Sequence, residues 1–332
     1  MERFLIAQYE THAREPILRR LPNGRLVCFS LTGGETEPEN RNVVAVTESH
    51  DNGHTWTTPT TLFSHSSRGC WCTELFVEED TALAMVHTYN ADCWYRELST
   101  YVSRYDGHRW GDPESVRGHV NGCSLRQGIR LSNGALLFPL YWQEVRENFD
   151  FKTPPNTPQS ERFNSHRYPF VSGVGISTDN GATFTRHGYI SSDNTPLWEP
   201  NAVEIAPGHV LLYCRCDHGY LTVSESVDYG YTWSAPTLSD IPNPNTKFSL
   251  LKVKNTVLLV NNFTTADRTH LELQKSSDGK HFQKVCDIEE PSARFFYPHI
   301  YADDTEMTVY VAYENMKEHR LCKFTYTELG IV

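Results

Sequence analysis

The chain has 332 residues, of which 12% are aromatic and 21% are charged, and this composition fits one large β-rich body as well as two average domains. It carries 30 Lys and Arg against 41 Asp and Glu, a formal net charge of −11. We therefore expect neither a nucleic-acid-binding protein nor one that associates with anionic membranes.

The N-terminal segment does not resemble a targeting signal. Residues 1–16 (MERFLIAQYETHAREP) lack the apolar run of a secretory signal, and no stretch of the chain approaches the roughly 20 apolar residues needed to cross a bilayer. The nine cysteines are scattered and odd in number, which does not fit a disulfide framework. We expect a soluble cytoplasmic protein. The pairs Cys70/Cys72 and Cys214/Cys216 lack zinc-site spacing and are interpreted as small residues within strands.

A short motif recurs along the chain and is typical of a hairpin turn. Its best copies follow S-x-D-x-G-x-T-[W/F] and are residues 49–56 (SHDNGHTW), 177–184 (STDNGATF) and 226–233 (SVDYGYTW), with weaker copies starting at Ser103 and Ser276. In such a unit the Asp accepts hydrogen bonds from backbone N–H groups of its own turn, and the Gly supplies a positive φ. Alternating apolar residues around the copies indicate strands, so each copy is predicted to mark one antiparallel sheet.

The spacing of the copies predicts the number of sheets. Their first serines lie 54, 74, 49 and 50 residues apart, and the long interval contains a polar, Pro- and Asn-rich stretch, residues 143–167, which we interpret as an inserted loop. Without that loop the period is near fifty, and a last unit beginning near Tyr297 makes six. We predict a six-bladed β-propeller spanning residues 1–332, with minimal helix, in which a strand near Phe4 completes the last sheet.

The recurring turn is identified as an Asp-box, and the arrangement resembles the sialidase (neuraminidase) superfamily of six-bladed propellers. The resemblance implies an active site at one end of the central axis. There, three arginines from different blades hold the carboxylate of a sialic acid, a task for which guanidinium groups are well suited. It also implies a tyrosine nucleophile activated by a glutamate, because the substrate's own carboxylate would repel a carboxylate nucleophile. A separate carboxylic acid protonates the leaving oxygen.

The resemblance assigns the three substrate-binding arginines to Arg14, Arg215 and Arg268. Arg14 opens an Arg-Glu-Pro sequence where the family has Arg-Ile-Pro, ten residues before the Gly of a hairpin. Arg215 ends an apolar strand, where an arginine is costly unless it meets an anion or points into a wet cavity. Arg268 lies eight residues before the fifth copy of the motif, and Arg294 is the alternative to it.

The resemblance assigns the nucleophile to Tyr297, which opens the last blade and precedes a Pro where the family has a Ser. Its activating base is assigned to Glu199, sixteen residues before Arg215 as in the family, although alternation of residues alone leaves Glu204 open. Tyr297 requires such a base because an unperturbed phenol, with a pKa of about 10, is a weak nucleophile at neutral pH.

The acid is the point at which the sequence departs from the family. Family members carry an Asp in the loop before the first Asp-box, whereas residues 32–42 (TGGETEPENRN) contain none. The spacing selects Glu37, twelve residues before Ser49, which can act as a general acid if its surroundings raise its pKa. Because Glu is one methylene longer than Asp, the identity of the substrate, and of the reaction, stays open.

We therefore expect a retaining exo-α-sialidase-like glycoside hydrolase that removes a terminal sialic acid or related 2-keto sugar acid. Its partner is an acidic carbohydrate, and no residue cluster indicates a metal or an organic cofactor. One alternative is a polysaccharide lyase that acts on a uronate-containing glycan with a His and a Tyr. The candidates for those roles are His12, His87, His299 and Tyr89. The other alternative is a non-catalytic glycan-binding propeller.

Three tryptophans are candidates for stacking on sugar rings, and core packing explains any one of them equally well. They are Trp71, Trp94 and Trp142. The stretch 143–167 is interpreted as a flap over the site or as a surface loop. The sequence leaves open the sugar acid, the linkage and the oligomeric state.

Overall fold

The computed structural model describes residues 1–78, 81–92, 97–143 and 170–331. In these ranges the chain forms 25 β-strands and one short helix, and the strands make six antiparallel sheets that follow one another along the sequence. The sheets are the blades of a six-bladed β-propeller, so the fold predicted from the repeats is confirmed. Within the described ranges, no helix combines the length and apolar character that crossing a membrane requires.

The first three blades come from the N-terminal half of the chain. Blade 1 consists of β2 (Arg14–Arg20), β3 (Leu26–Thr32), β4 (Val43–Ser49) and β5 (Thr60–Phe63). Blade 2 consists of β6 (Gly69–Glu78), β7 (Thr81–Tyr89), β8 (Ser99–Tyr105) and β9 (Glu114–Ser115). Blade 3 consists of β10 (Ser124–Leu125), β11 (Ile129–Arg130), β12 (Leu136–Gln143), β13 (Phe170–Ser177) and β14 (Thr185–Ile190). The predicted inserted loop lies outside the described residues, except for Gln143 at the end of β12.

The last three blades include the N-terminal strand. Blade 4 consists of β15 (Trp198–Ala206), β16 (His209–Arg215), β17 (Tyr220–Ser226) and β18 (Thr237–Pro242). Blade 5 consists of β19 (Ser249–Val253), β20 (Thr256–Asn262), β21 (Leu271–Ser276) and β22 (Gln283–Asp287). Blade 6 consists of β23 (Phe296–Asp303), β24 (Thr308–Glu314), β25 (Glu318–Thr325) and, paired antiparallel with β25, β1 (Glu2–Gln8). The helix α1 (Tyr326–Leu329) follows β25.

Each Asp-box joins the last two strands of its blade and is closed by its own side chains. In the first copy, Gly53 N–H donates to Ser49 Oγ at 2.8 Å and Thr55 N–H donates to Asp51 Oδ1 at 2.8 Å. Gly53 has a φ of 84°, a left-handed conformation that glycine adopts without steric cost. Trp56 Nε1 donates back to Gly53 O at 3.2 Å. The turn therefore has the internal hydrogen bonds expected from its sequence.

The apolar core lies between neighbouring blades. Six clusters of buried side chains each combine residues from two adjacent blades, and together they follow the ring. The cluster between blades 1 and 2, for example, joins Ile17 and Phe29 to Leu75 and Val86. Burial of these apolar surfaces is the main stabilisation of the ring, and it leaves the first strand of each blade facing the central axis.

The central axis is lined by buried charged side chains. Glu15 is 2% exposed and accepts hydrogen bonds from Arg126 Nη2 and Lys247 Nζ, both at 3.0 Å. Arg126 lies in the break between β10 and β11, and Lys247 lies in the loop just before β19. Burial alone would raise the pKa of Glu15, but the two cations lower it to about 2. A single carboxylate therefore ties blades 1, 3 and 5 together at the axis.

A second ionic group lies further along the axis. Arg19 Nη2 donates to Glu74 Oε1 at 2.7 Å, and Arg19 Nη1 contacts the ring of His299 at 3.0 Å. Burial raises the pKa of Glu74 to about 7, against the lowering effect of Arg19. The hub is thus filled by paired charges rather than by apolar side chains.

Candidate active site

The first strands of blades 1, 4 and 6 begin with the same backbone conformation at one end of the axis. Glu15, Glu199 and Tyr297 each precede a proline and have φ values of 54°, 46° and 52°. In each strand the pairing register with the following strand shifts across this residue. Such a bulge redirects the side chain out of the normal alternation, and a non-glycine residue in the left-handed region costs on the order of 1–3 kcal/mol. The three strands thus accept local strain where the predicted base and nucleophile stand.

The three arginines assigned from the sequence converge on Tyr297. The guanidinium carbon lies 4.0 Å from the centre of the Tyr297 ring for Arg14, 5.9 Å for Arg215 and 5.2 Å for Arg268. They come from blade 1, blade 4 and the segment after β20 in blade 5, so residues more than 250 positions apart in the chain meet at one ring. A cation over an aromatic face is attracted by the ring quadrupole, which helps to hold the group together.

Arg14 is held by two glutamates. Its Nε donates to Glu314 Oε1 at 2.7 Å, and its Nη1 lies 3.3 Å from Glu37 Oε2. Burial opposes the charge on Arg14, but Tyr297, Glu314 and Glu37 together hold its pKa above the ordinary value. Within the described ranges, the buried Nη2 of Arg14 has no hydrogen-bond partner. An unsatisfied buried donor is costly, so this atom is suited to donate a hydrogen bond to an oxygen of an anionic ligand.

Arg215 connects the predicted base to the predicted nucleophile. Its Nη1 lies 2.5 Å from Glu199 Oε2 and donates to the Tyr297 hydroxyl at 3.2 Å. Its Nε donates to Asn245 Oδ1 at 2.6 Å. Because one nitrogen contacts both oxygens, the Glu199 carboxylate and the Tyr297 hydroxyl lie close together. The arrangement places a carboxylate oxygen acceptor beside the phenol, as transfer of the phenol proton requires.

Arg268 has no acidic partner among the residues that the structure describes. Its single hydrogen bond to these residues runs from Nη2 to Asn245 O at 3.3 Å. Burial lowers the pKa of Arg268, Tyr297 acts in the opposite direction, and the charges of Arg215 and Arg14 lower it further. A cation that is largely out of solvent and next to two other cations is unfavourable without an anion. The group of three arginines therefore carries a positive charge that its own carboxylates leave uncompensated at Arg268.

Glu37 has the environment of a carboxylic acid that holds its proton near neutral pH. Its side chain is only 11% exposed, and burial raises its pKa to about 7. Arg14 acts against this rise, whereas the carboxylates of Glu15, Glu199 and Glu314 add to it. Glu37 lies in the loop between β3 and β4, at the same end of the axis as Tyr297. The structure thus brings all six residues assigned from the sequence to one site.

The two alternative residues considered from the sequence lie elsewhere. Arg294 is exposed, whereas Arg268 lies over the Tyr297 ring. Glu204 is near the far end of β15, where its carboxylate accepts hydrogen bonds from Ser132 N and Gly208 N. Glu204 therefore stabilises turns, and Glu199 is the glutamate beside Tyr297.

Of the histidines considered for a lyase, His87 and His299 are buried and His12 is half-buried. Burial lowers the pKa of His12 to about 4 and that of His87 to about 3. His87 Nε2 contacts Thr73 Oγ1 at 2.8 Å, and burial also holds the pKa of His299, beside Glu74 and Arg19, well below its usual range. Tyr89 is buried as well and accepts a hydrogen bond from Asn42. His87, His299 and Tyr89 thus have local structural partners at their own positions in the sheets.

Two of the three tryptophans considered for sugar stacking fall within the described residues. Trp71 is buried and packs on His87, with a ring-centre distance of 5.6 Å. Trp142 lies under the guanidinium of Arg186 at 4.5 Å, and Trp94 is outside the described residues. Among the described residues, Trp198 packs against one of the assigned arginines, with its ring centre 4.9 Å from the guanidinium carbon of Arg215.

Sequence reasoning missed several residues that support the site. Glu314 and Asn245 hold the arginines, and Glu15 anchors Arg126 and Lys247 beneath them. A local signal for Glu15 was available, because it precedes a proline at the start of a first strand, as Glu199 and Tyr297 do. Among the described residues, no group of His, Cys, Asp and Glu side chains is arranged to hold a metal ion.

Solved structures show which proteins the chain resembles. The Hadza microbial sialidase Hz136 matches with a TM-score of 0.76 at 18% identity, over 95% of this chain and 66% of that one. A protein of unknown function from Dyadobacter fermentans matches with a TM-score of 0.73 at 18% identity, over 97% of both chains. Trypanosoma rangeli sialidase in complex with 2,3-difluorosialic acid, described as a covalent intermediate, matches with a TM-score of 0.70 at 18% identity, over 96% of this chain and 55% of that one.

At these identities the similarity establishes the fold, that of sialidase propellers. The chain spans about two thirds of the length of the first of these proteins and about half of the third. No curated protein matches the sequence. The family model for a BNR repeat-like domain matches residues 24–311. The chain therefore belongs to the BNR repeat-like domain family and has a sialidase-like propeller fold.

Proposed function

We propose that the protein is a retaining exo-α-sialidase-like glycoside hydrolase that removes a terminal sialic acid or a related 2-keto sugar acid. The observation that carries this proposal is Arg268, a largely buried cation that lies over the Tyr297 ring and lacks a carboxylate partner among the described residues. The carboxylate of a 2-keto sugar acid, which is attached to the anomeric carbon, supplies that partner. Binding of this carboxylate to Arg268 also brings the anomeric carbon next to the phenol of Tyr297.

The anion has donors ready for it. Arg14 presents its unpartnered Nη2, and Arg215 has its Nε and Nη1 engaged by protein groups, which leaves Nη2. Guanidinium groups stay charged at every relevant pH and form strong hydrogen bonds to carboxylates. Since all three guanidinium groups lie over the Tyr297 ring, we expect an anion bound to them to have its neighbouring carbon close to the phenol oxygen.

The first step transfers the sugar to Tyr297. The phenol oxygen bonds to the anomeric carbon while its proton passes to Glu199, and Glu37 donates its proton to the glycosidic oxygen as that bond breaks. In the second step Glu37, now a carboxylate, takes a proton from water, whose oxygen bonds to the anomeric carbon. The bond to Tyr297 breaks, and Glu199 returns the proton to the phenol. Two inversions give overall retention.

The test of the proposal is release of phenol from an aryl α-ketoside of N-acetylneuraminic acid or a related 2-keto sugar acid. We expect turnover by the natural chain, none above background for Tyr297→Phe, and normal turnover for the control Tyr301→Phe, which changes a tyrosine further along the same strand. Activity in a chelator is expected to be unchanged. Turnover by Tyr297→Phe at the natural rate would contradict the proposal.

Two other results would replace the proposed function. If a uronate polymer gives products that absorb near about 235 nm, the protein is a lyase, because proton abstraction beside the carboxylate creates the conjugated double bond. If sugar acids bind without turnover of any ketoside, the protein is a glycan-binding propeller.

A further inference from the structure

The loop between β18 and β19, residues 243–248, is fixed by its own hydrogen bonds. Asn243 Nδ2 donates to Thr246 O at 2.9 Å and to Asn261 Oδ1 at 2.8 Å, and Thr246 N–H donates to Asn243 Oδ1 at 3.0 Å. Asn243 and Thr246 are fully buried. Further along the loop, Lys247 enters the hub and binds Glu15 at 3.0 Å. These contacts hold the loop in one conformation where it joins blade 4 to blade 5, next to the site.

Asn245 lies in the middle of this loop and contacts two of the three arginines. Its side-chain oxygen accepts from Arg215 Nε at 2.6 Å and from Trp198 Nε1 at 3.2 Å. Its backbone oxygen accepts from Arg268 Nη2 at 3.3 Å. Asn245 has a φ of 53°, a left-handed conformation that asparagine tolerates better than most residues. The conformation allows both of its oxygens to meet guanidinium groups.

The two arginines depend on Asn245 to different degrees. Arg215 also binds Glu199, whereas Asn245 is the one hydrogen-bond partner of Arg268 among the described residues. A long, charged side chain with few hydrogen-bond partners can adopt many rotamers at little cost in free energy. The position of its guanidinium group is therefore set by the few hydrogen bonds that it makes. Arg268 is therefore positioned by a neutral acceptor, the backbone oxygen of Asn245, which binds its guanidinium group without neutralising the charge.

We propose that Asn245 is a positioning residue that sets the separation of Arg215 and Arg268 so that both reach one ligand carboxylate. This inference rests on the proposed function, because the ligand it concerns is the carboxylate of a sugar acid. A neutral amide is suited to this task because an acidic side chain at the same place would compete with the ligand for the guanidinium groups.

The test replaces the amide while the backbone conformation is kept. Asn245→Gly retains the left-handed conformation and the backbone oxygen and removes the side-chain acceptor. Asn180→Gly is the matched control, because Asn180 has a φ of 55° in an Asp-box turn remote from the site. Asn245→Asp keeps an acceptor of the same shape and adds a negative charge. Thermal unfolding of each variant establishes that it is folded.

Binding of the sialidase inhibitor DANA, a sugar acid, is measured by calorimetry, and turnover of the aryl ketoside gives KM and kcat. For Asn245→Gly we expect Kd and KM to rise about tenfold or more, with a smaller effect on kcat, as is typical of a lost hydrogen bond to a charged group. Asn245→Asp is expected to weaken DANA binding as well, and Asn180→Gly to leave it unchanged. Natural affinity in Asn245→Gly overturns the proposal.

A measurement without ligand separates this proposal from the proposed function. In ¹⁵N-resolved NMR spectra the Arg215 Nε–Hε signal, assigned by its loss in Arg215→Lys, is expected to move or broaden in Asn245→Gly and to persist in Asn245→Asp and Asn180→Gly. An unchanged signal in Asn245→Gly overturns the positioning role. If the natural chain neither binds DANA nor cleaves a ketoside, the proposed function fails, and the NMR signal still decides whether Asn245 positions Arg215.

Discussion

Replacement of Glu37 by Gln removes the proton that we assign to the leaving group while the size of the side chain is kept. Burial raises the pKa of Glu37 to about 7. With that pKa about 90% of the side chain is protonated at pH 6, against about 3% for a glutamic acid of ordinary pKa near 4.5. The surroundings thus raise the fraction of the acid form about thirtyfold at pH 6.

The effect of the substitution depends on the leaving group. General acid catalysis contributes about 10²–10⁴-fold for a poor leaving group, and little for one that departs as a stable phenolate. We therefore expect Glu37→Gln to reduce kcat/KM by about 10²-fold or more on an alkyl or sugar aglycone and by less than about tenfold on a nitrophenyl ketoside. Glu35→Gln, at an exposed position in the same loop, is the matched control and is expected to retain full activity on both.

The pH profile gives an independent readout. Since the acid must be protonated, kcat/KM on the poor leaving group is expected to fall as pH rises through about 7 in the natural chain. This alkaline limb disappears in Glu37→Gln. Equal losses on both leaving groups, or an alkaline limb that survives the substitution, would refute the assignment of Glu37 as the acid.

Three further substitutions test other parts of the account. Arg268→Gln is expected to weaken DANA binding at least about tenfold in calorimetry, with the free energy of unfolding unchanged or higher, since no carboxylate of the described chain pairs with it. Glu15→Gln leaves Arg126 and Lys247 without their counter-charge and is expected to lower that free energy by about 3–5 kcal/mol in urea. Asp179→Ala opens an Asp-box and is expected to lower it by about 1 kcal/mol at pH 7. Because hydrogen bonds lower the pKa of Asp179 to about 2, its contribution is present above the unfolded-state pKa, and the difference disappears as pH falls through about 2. Natural DANA affinity in Arg268→Gln, or a natural free energy of unfolding in Glu15→Gln or Asp179→Ala, would contradict the corresponding contacts.

The repeats predicted the blades because each Asp-box is a local structure. Ser177, Asp179 and Gly181 lie within five residues, and the hydrogen bonds among them involve no distant part of the chain. A turn that closes on itself leaves a sequence pattern, and the strands around it alternate with a period of two. The number of blades follows from counting such units.

The assigned site residues were found through their distances from those repeats. Arg268 follows the family's spacing from an Asp-box, Arg215 follows its spacing from Glu199 in the hairpin that leads into another Asp-box, and the structure places both beside Tyr297. The partners of these residues left no comparable signal. Glu314 meets Arg14 across 300 positions, and nothing in the sequence near either residue indicates the pairing.

The ionic network at the hub was missed for a related reason. Glu15, Arg126 and Lys247 come from three blades and meet only when the ring closes. Each of them taken alone has the composition of a surface residue, because charged side chains are mostly exposed in proteins. Their burial follows from the inward direction of the first strands, and periodicity within one blade does not encode which charges face each other across the axis.

The most direct test of the central claim is mass spectrometry of the protein after incubation with 2,3-difluorosialic acid, the ligand of the Trypanosoma rangeli covalent intermediate. We predict that the intact mass increases by one fluorosialyl group, that peptide sequencing places this group on Tyr297, and that Tyr297→Phe gains no such mass. Turnover of an aryl sialoside without any adduct on Tyr297, or an adduct on another residue, would contradict the account.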